Sequence, residues 1–169
     1  SGGITSVQLP ETMEFLNSYV FSGASLTTMN IPKNLQKIDP GAWNSIDRAP
    51  KFTVDIQNQY FENDANGALY TKGKKALLSV PSNVTLQGGK YIVHPDVKTI
   101  IASAFKNVQG LKRIVLPKNL EKVFEGYPTI APSSSLEAFE IPQGAPNFKV
   151  IDGVLFRDTT LVVYPIAKP

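Results

Sequence analysis

The 169-residue sequence has no cysteine, one histidine, one tryptophan and two methionines. The missing cysteines exclude a disulfide scaffold, and a chain of this length needs none, since it buries roughly 70% of its extended surface. No apolar run approaches the roughly 20 residues that span a bilayer, so no segment is embedded as a membrane helix. There is no Gly-x-Ser-x-Gly elbow, P-loop or dinucleotide fingerprint, and the common enzyme motifs fail. Hydrophobic residues make up 42% and charged residues 18% of the chain, alongside 12 glycines. That balance is ordinary for a folded domain and excludes a disordered tail or a collagen-like fibre.

A dominant charge is also missing. Seventeen Lys and Arg against 14 Asp and Glu leave a net charge of +3, with a pI near 9.0. The cations are dispersed, whereas a nucleic-acid binder masses them on one element. The densest group, Lys72, Lys74 and Lys75, surrounds Gly73 and reads as a solvated turn. No nucleic-acid partner is expected.

What the sequence does contain is repetition. Ile31-Pro32-Lys33-Asn34-Leu35-Gln36-Lys37-Ile38 returns 85 residues later as Leu116-Pro117-Lys118-Asn119-Leu120-Glu121-Lys122-Val123, with five of eight positions identical. Phe21 and Phe105, Phe52 and Phe139, Gly67 and Gly153, and Pro81 and Pro165 keep nearly the same offset. The reading is a single repeat domain over residues 1–169, duplicated internally at about 4–84 and 88–169.

Each half carries a shorter unit, apolar-x-x-apolar-x-apolar. It reads Ile4, Val7, Leu9; Leu26, Met29, Ile31; Ala49, Phe52, Val54; Gly88, Tyr91, Val93; Leu111, Ile114, Leu116; and Leu136, Phe139, Ile141. The units start 22, 23, 39, 23 and 25 residues apart, and four of these spacings suit leucine-rich repeats. The last two apolar positions lie two apart and share one face of a short strand. Such a strand cannot fold alone, but stacked copies share one core. Pro10, Pro32, Pro117 and Pro142 then end four of the strands, because proline offers no ladder N–H. A second apolar set (Met13, Leu16, Phe21; Val97, Ile100, Phe105) forms the opposite wall, with a short helical turn expected between Ala102 and Asn107.

The 39-residue gap holds Asp64-Ala65-Asn66-Gly67-Ala68-Leu69-Tyr70 and, after a Lys/Gly turn, Ala76-Leu77-Leu78-Ser79-Val80-Pro81. Its counterparts are Ile151-Asp152-Gly153-Val154-Leu155-Phe156 and Leu161-Val162-Val163-Tyr164-Pro165. Apolar runs separated by turn residues read as β-hairpins, here over 67–80 and 153–164. Six parallel strands starting near residues 6, 28, 51, 90, 113 and 138 are expected in one sheet.

The pattern Leu-x-x-Ile-x-Leu-Pro-x-x-Leu-x-x-Val, followed by Ala104-Phe105 or Gly41-Ala42-Trp43, resembles the BspA-type leucine-rich repeats of bacterial surface proteins. The inserted Asp-Gly-Val-Leu-Phe…Leu-Val-Val-Tyr-Pro segment is similar to that family as well. One departure is Val108, where the family often has cysteine. The resemblance implies a right-handed leucine-rich-repeat solenoid, β-rich with little helix, with short parallel strands and β-hairpin insertions. It further implies an extracellular or cell-surface protein, some relatives being regarded as adhesins for host or matrix proteins. The chain opens Ser1-Gly2-Gly3 with no methionine, so a signal or anchor is expected upstream.

Candidate chemistry is sparse. His94 has no second histidine or cysteine to work with and stands where other units carry proline. Glu62-Asn63-Asp64-Ala65-Asn66-Gly67 is rich in oxygen ligands, but residues 68–75 supply no carboxylate to complete a calcium loop. Asp/Asn-Gly before a strand is itself a turn signal. The aromatics suit sugar stacking, yet Phe21, Phe52, Phe105 and Phe139 stand at core positions, and Trp43 and Tyr127 occupy nearly matching places. No catalytic residue, cofactor or metal site is expected. The outward positions of the strands carry the partner-binding reading, with Lys51, Lys90 and Arg113 in a row and Thr53, Ile92 and Val115 beside them. That face suits an acidic glycan or an anionic protein segment, and the family resemblance implies a host or matrix protein as the partner. The competing reading is a structural spacer within a longer surface protein.

Overall fold

The computed structural model describes residues 5–125 and 133–169. Ile4 and Tyr127, both named above, lie outside the described residues. The first half contributes β1 (Ser6–Gln8), β2 (Phe15–Leu16), β3 (Thr28–Ile31), β4 (Lys37–Ile38), β5 (Lys51–Val54), β6 (Phe61–Asn63), β7 (Leu69–Thr71) and β8 (Ala76–Ser79). The second half follows with β9 (Lys90–Ile92), β10 (Thr99–Ile101), β11 (Arg113–Val115), β12 (Lys122–Glu125), β13 (Ala138–Glu140), β14 (Lys149–Ile151), β15 (Val154–Arg157) and β16 (Thr160–Val163). Each of β9 to β16 starts 84 to 88 residues after its counterpart among β1 to β8.

The molecule is a leucine-rich-repeat solenoid with almost no helix. Its front strands run parallel, with Met29 opposite Val7 and Phe52, and Ile114 opposite Tyr91 and Phe139. These five residues other than Val7 are buried, as the two-residue period requires. After β1, β3, β9 and β11 a turn brings the next apolar residue inward. Met13 N–H donates to Pro10 O, Leu35 N–H to Pro32 O, Val97 N–H to His94 O and Leu120 N–H to Pro117 O. His94 thus takes the place of the turn-opening proline. The rear wall is built from β2 with β4, and from β8, β10 and β12, all parallel within each group.

Three expectations need correction. The six front strands form two ladders of three, β1-β3-β5 and β9-β11-β13, rather than one sheet. The cause is the first insertion. Phe52 N–H of β5 donates to Gly67 O (3.0 Å), and Val54 N–H to Asn63 Oδ1 (2.8 Å), so the loop takes the edge where β9 would pair. Only a glycine fits this approach: Gly67 has φ +79°, and a Cβ there would lie 2.9 Å from Lys51 Cγ. Second, residues 102–107 form successive turns, closed by Ala104 N–H on Ile101 O and Lys106 N–H on Ser103 O, and no helix. Third, Gly88 is exposed at φ +59° and belongs to a turn, not to the core.

The hairpins lie where expected, β7 with β8 and β15 with β16, but each gains a third antiparallel strand, β6 or β14. One hydrophobic cluster, from Leu9 to Val163, runs beneath both ladders and both insertions. Trp43 sits at its heart, stacked on Phe21 at 5.3 Å and meeting Phe52 edge-on at 5.1 Å. Among the described residues the one helical segment is the 3-10 turn Lys72–Lys74, with Gly73 at φ +73°.

Candidate functional site

The outward residues of the second ladder form the most structured surface. Arg113 pairs in register with Lys90, and Val115 with Ile92. Glu140, on β13 opposite Val115, reaches both cations: Lys90 Nζ donates to Glu140 Oε2 at 3.0 Å, and Arg113 approaches Glu140 Oε1 at 3.6 Å. Ile92 stands 71% exposed on the end strand of this face, next to half-buried Val115. Lys51 and Thr53 are exposed too, but they sit on the first ladder, in register with Thr28 and Asn30. The row of three cations is therefore two neighbouring cations bridged by a carboxylate, with Lys51 beyond the inserted loop. Glu140 stands at the outward position of the last unit that the repeat assigns it, and its pairing with Lys90 and Arg113 is what the strand pattern alone does not give.

Where the two ladders part, a groove of about 540 Å³ opens, lined among others by Asp64, Asn66, Gln87, Lys90, Ile92 and His94. That size falls within the range of small ligand sites. Its floor is a pair of buried tyrosines. Tyr70 O–H donates to Asp64 Oδ2 (2.9 Å), and Tyr91 lines the groove beside it. Burial pushes the Tyr91 phenol up to about 12, and burial, reinforced by Tyr91 and the Asp64 carboxylate, raises Tyr70 further.

The oxygen-rich loop is a self-contained turn. Asp64 Oδ1 accepts the Asn66 and Ala68 N–H groups at 2.9 and 3.0 Å, and Gly67 N–H donates to Asp64 O. The carboxylate is thus occupied by its own loop and by Tyr70. His94 is half-buried and keeps local company, with Asp96 N–H donating to Nδ1 at 3.2 Å. The structure brings His94 and the Asp64 loop to the lining of one groove. No group of three or more His, Asp or Glu side chains suited to a metal occurs among the described residues. The aromatics weighed for sugar stacking (Phe21, Trp43, Phe52, Phe105, Phe139) are buried in packing.

The family model for the BspA type leucine-rich repeat region matches residues 1–85 and 82–162, with six copies. No curated protein matches the chain significantly. Among solved structures, a leucine-rich repeat protein from Eubacterium ventriosum aligns with a TM-score of 0.58 at 21% identity, over 81% of this chain and 42% of its own. The pneumococcal vaccine antigen PcpA aligns at 0.56 and 18% identity, over 80% of this chain and 41% of its own. A leucine rich cell surface protein from Faecalibacterium prausnitzii follows at 0.52 and 18%, over 81% and 41%. The chain thus spans about two fifths of the length of these structures.

Proposed function

The chain belongs to the BspA-type leucine-rich repeat family, and on that premise we propose that it is a non-enzymatic module displayed at the bacterial surface or secreted, which binds a protein. In this reading the duplicated halves, about 4–84 and 88–169, act as a single domain. The binding face is the second ladder, with Lys90, Ile92, Arg113 and Val115, while Lys51 and Thr53 flank it from the first. One observation carries the choice of partner: Glu140 lies between the two cations. A polyanionic glycan calls for uncompensated positive charge, whereas a mixed charge cluster around an exposed isoleucine is the composition of a protein-binding patch. The surface origin is supported by two similar structures, one described as a cell surface protein and one as a vaccine antigen.

The test compares wild type with a Lys51→Ser, Lys90→Ser, Arg113→Ser triple variant on an array of host matrix proteins and glycans. Binding to a matrix protein that weakens in the triple variant supports the reading. Binding confined to acidic glycans reverses the choice of partner. If neither protein binds anything, the chain is a structural spacer.

A further inference from the structure

The break between the ladders leaves β9 as an end strand lining the groove. Arg113 N–H donates to Gly89 O and Val93 N–H to Val115 O, so Gly89, Tyr91 and Val93 turn their backbone groups toward β11. Lys90 and Ile92 turn theirs the other way, by the two-residue period of a strand. Lys90 N–H closes a turn onto Gln87 O at 3.1 Å. Gln87 bridges Lys90 in antiparallel fashion, so the N–H and C=O of Ile92 are left facing the groove, where no strand of the described residues pairs with them. The outer edges of β5 and β13, which end their ladders, are each covered by a glycine, with Phe52 N–H on Gly67 O and Phe139 N–H on Gly153 O. β9, like β1, begins its ladder, and Gln87 covers its edge at Lys90 but not at Ile92.

We propose that the groove takes an extended polypeptide segment of another protein, added to the β9 edge as a fourth strand of the second ladder. This deepens the protein-binding reading above and rests on it. The charged side chains around the groove are already engaged, Asp64 by its loop and by Tyr70, Lys90 by Glu140, and His94 accepts the Asp96 amide. What remains to be paired is main chain, the donor and the acceptor of Ile92. Another backbone in extended form supplies the complementary acceptor and donor at the right spacing, and a simple anion does not. Side-chain preference follows from the neighbours. A residue seated beside Ile92 extends the apolar row that Ile92 and Val115 begin, so a β-branched or aromatic residue fits there. Asp64 and Asn66, which also line the groove, belong to the longer loop of the first insertion.

The probe is a phage-displayed library of random linear dodecapeptides, panned on the intact chain, with the best peptide measured by fluorescence anisotropy. Three results are expected. N-methylation of alternate residues of the peptide weakens binding by at least roughly tenfold, while methylation of the residues between them does not. Ile92→Pro, which removes a donor used by no ladder bond, weakens binding to a similar extent, and Ile92→Thr, which keeps the donor, weakens it less. The Ile92 amide becomes protected from hydrogen exchange in the complex, a readout independent of whether the proline variant folds. Failure to select any peptide, or a selected peptide that tolerates methylation at every position, overturns the proposal. Arg113→Ser separates this idea from its parent. If that change abolishes matrix-protein binding while Ile92→Pro leaves it intact, the face binds and the groove does not. The reverse outcome keeps the groove and discards the face.

Discussion

The two insertions occupy corresponding places and differ in their turns. In the second, β14, β15 and β16 are joined by two-residue turns: Asp152 and Gly153 at φ +49° and +75°, then Asp158 at +51° with Thr159. Paired positive φ angles in two-residue connections match the twist of the strands they join and give a tight meander. In the first, five residues separate β6 from β7 and four separate β7 from β8. The longer first loop closes on its own Asp64 carboxylate and stands up as the wall of the groove. A few extra residues in one copy of a duplicated unit thus turn a structural meander into a cleft. Functional surfaces of repeat proteins gather at such insertions, since the coils themselves are held to a fixed shape.

The surroundings of the last strand differ as well, and the largest expected effect lies there. β8 pairs with β10 on its far side, placing Leu77 opposite Ile100, whereas β16 pairs only with β15 among the described residues. Leu77 is accordingly 0% exposed and its counterpart Leu161 is 51% exposed. Leu77→Ala is expected to cost about 2–5 kcal/mol of unfolding free energy through the cavity it leaves. Leu161→Ala should cost no more than about 0.5 kcal/mol, as surface changes do. Urea denaturation of both variants measures the pair, and equal losses would break the comparison.

A smaller gap is expected at two asparagines that each plug a post-strand turn. Asn58, fully buried, donates through Nδ2 to Pro32 O and Leu35 O, and its Oδ1 accepts the Tyr60 and Phe61 N–H groups. Asn147 is exposed and donates to Leu120 O, the counterpart of Leu35 O. Asn58→Ala strands four backbone groups, two of them donors, and should cost about 1–3 kcal/mol. Asn147→Ala should cost about 0.5–1.5 kcal/mol, the worth of a single net hydrogen bond. Thermal unfolding of the two variants, read against wild type, ranks them; a greater loss at Asn147 would show that burial does not set the cost here.

Legibility in the sequence follows the same line. The front strands could be placed from apolar period and proline alone, because each must offer the core the same two positions: Met29 and Ile31, Tyr91 and Val93, Ile114 and Leu116. The rear wall followed from Leu16, Val97 and Ile100. What escaped were features set by length rather than by period. The split into two ladders depends on how a five-residue loop folds back, and Gly67, though noticed as a landmark, did not announce that its carbonyl would take the edge of β5. The third strands β6 and β14 were missed because Phe61-Glu62-Asn63 and Lys149-Val150-Ile151 carry no turn signal of their own and are held by the neighbouring strand. Of the expected face, Lys90, Ile92, Arg113 and Val115 come together. Lys51 and Thr53 do not, for the same reason of loop length.

The smallest effect concerns pH, and it too separates the halves. Tyr70 and Tyr91 form the floor of the groove, whereas their positional counterparts in the other half, Leu155 and Val7, cannot ionise. An unfolded tyrosine loses its proton near pH 10, while in the folded chain burial holds Tyr91 neutral up to about 12. Between those values the folded state binds more protons than the unfolded state. The tyrosine's contribution to stability is therefore fully present below pH 10 and is lost as pH rises toward 12. At pH 10.5 the loss from Tyr91 is on the order of 1 kcal/mol. Tyr91→Phe removes this titration while leaving the Tyr70 bond to Asp64 in place. Melting temperatures measured from pH 8 to 11 should fall less steeply for Tyr91→Phe than for wild type, with the curves diverging only above about pH 10. Parallel curves would mean that the phenol reaches solvent, and that the groove floor is open where the structure has it closed.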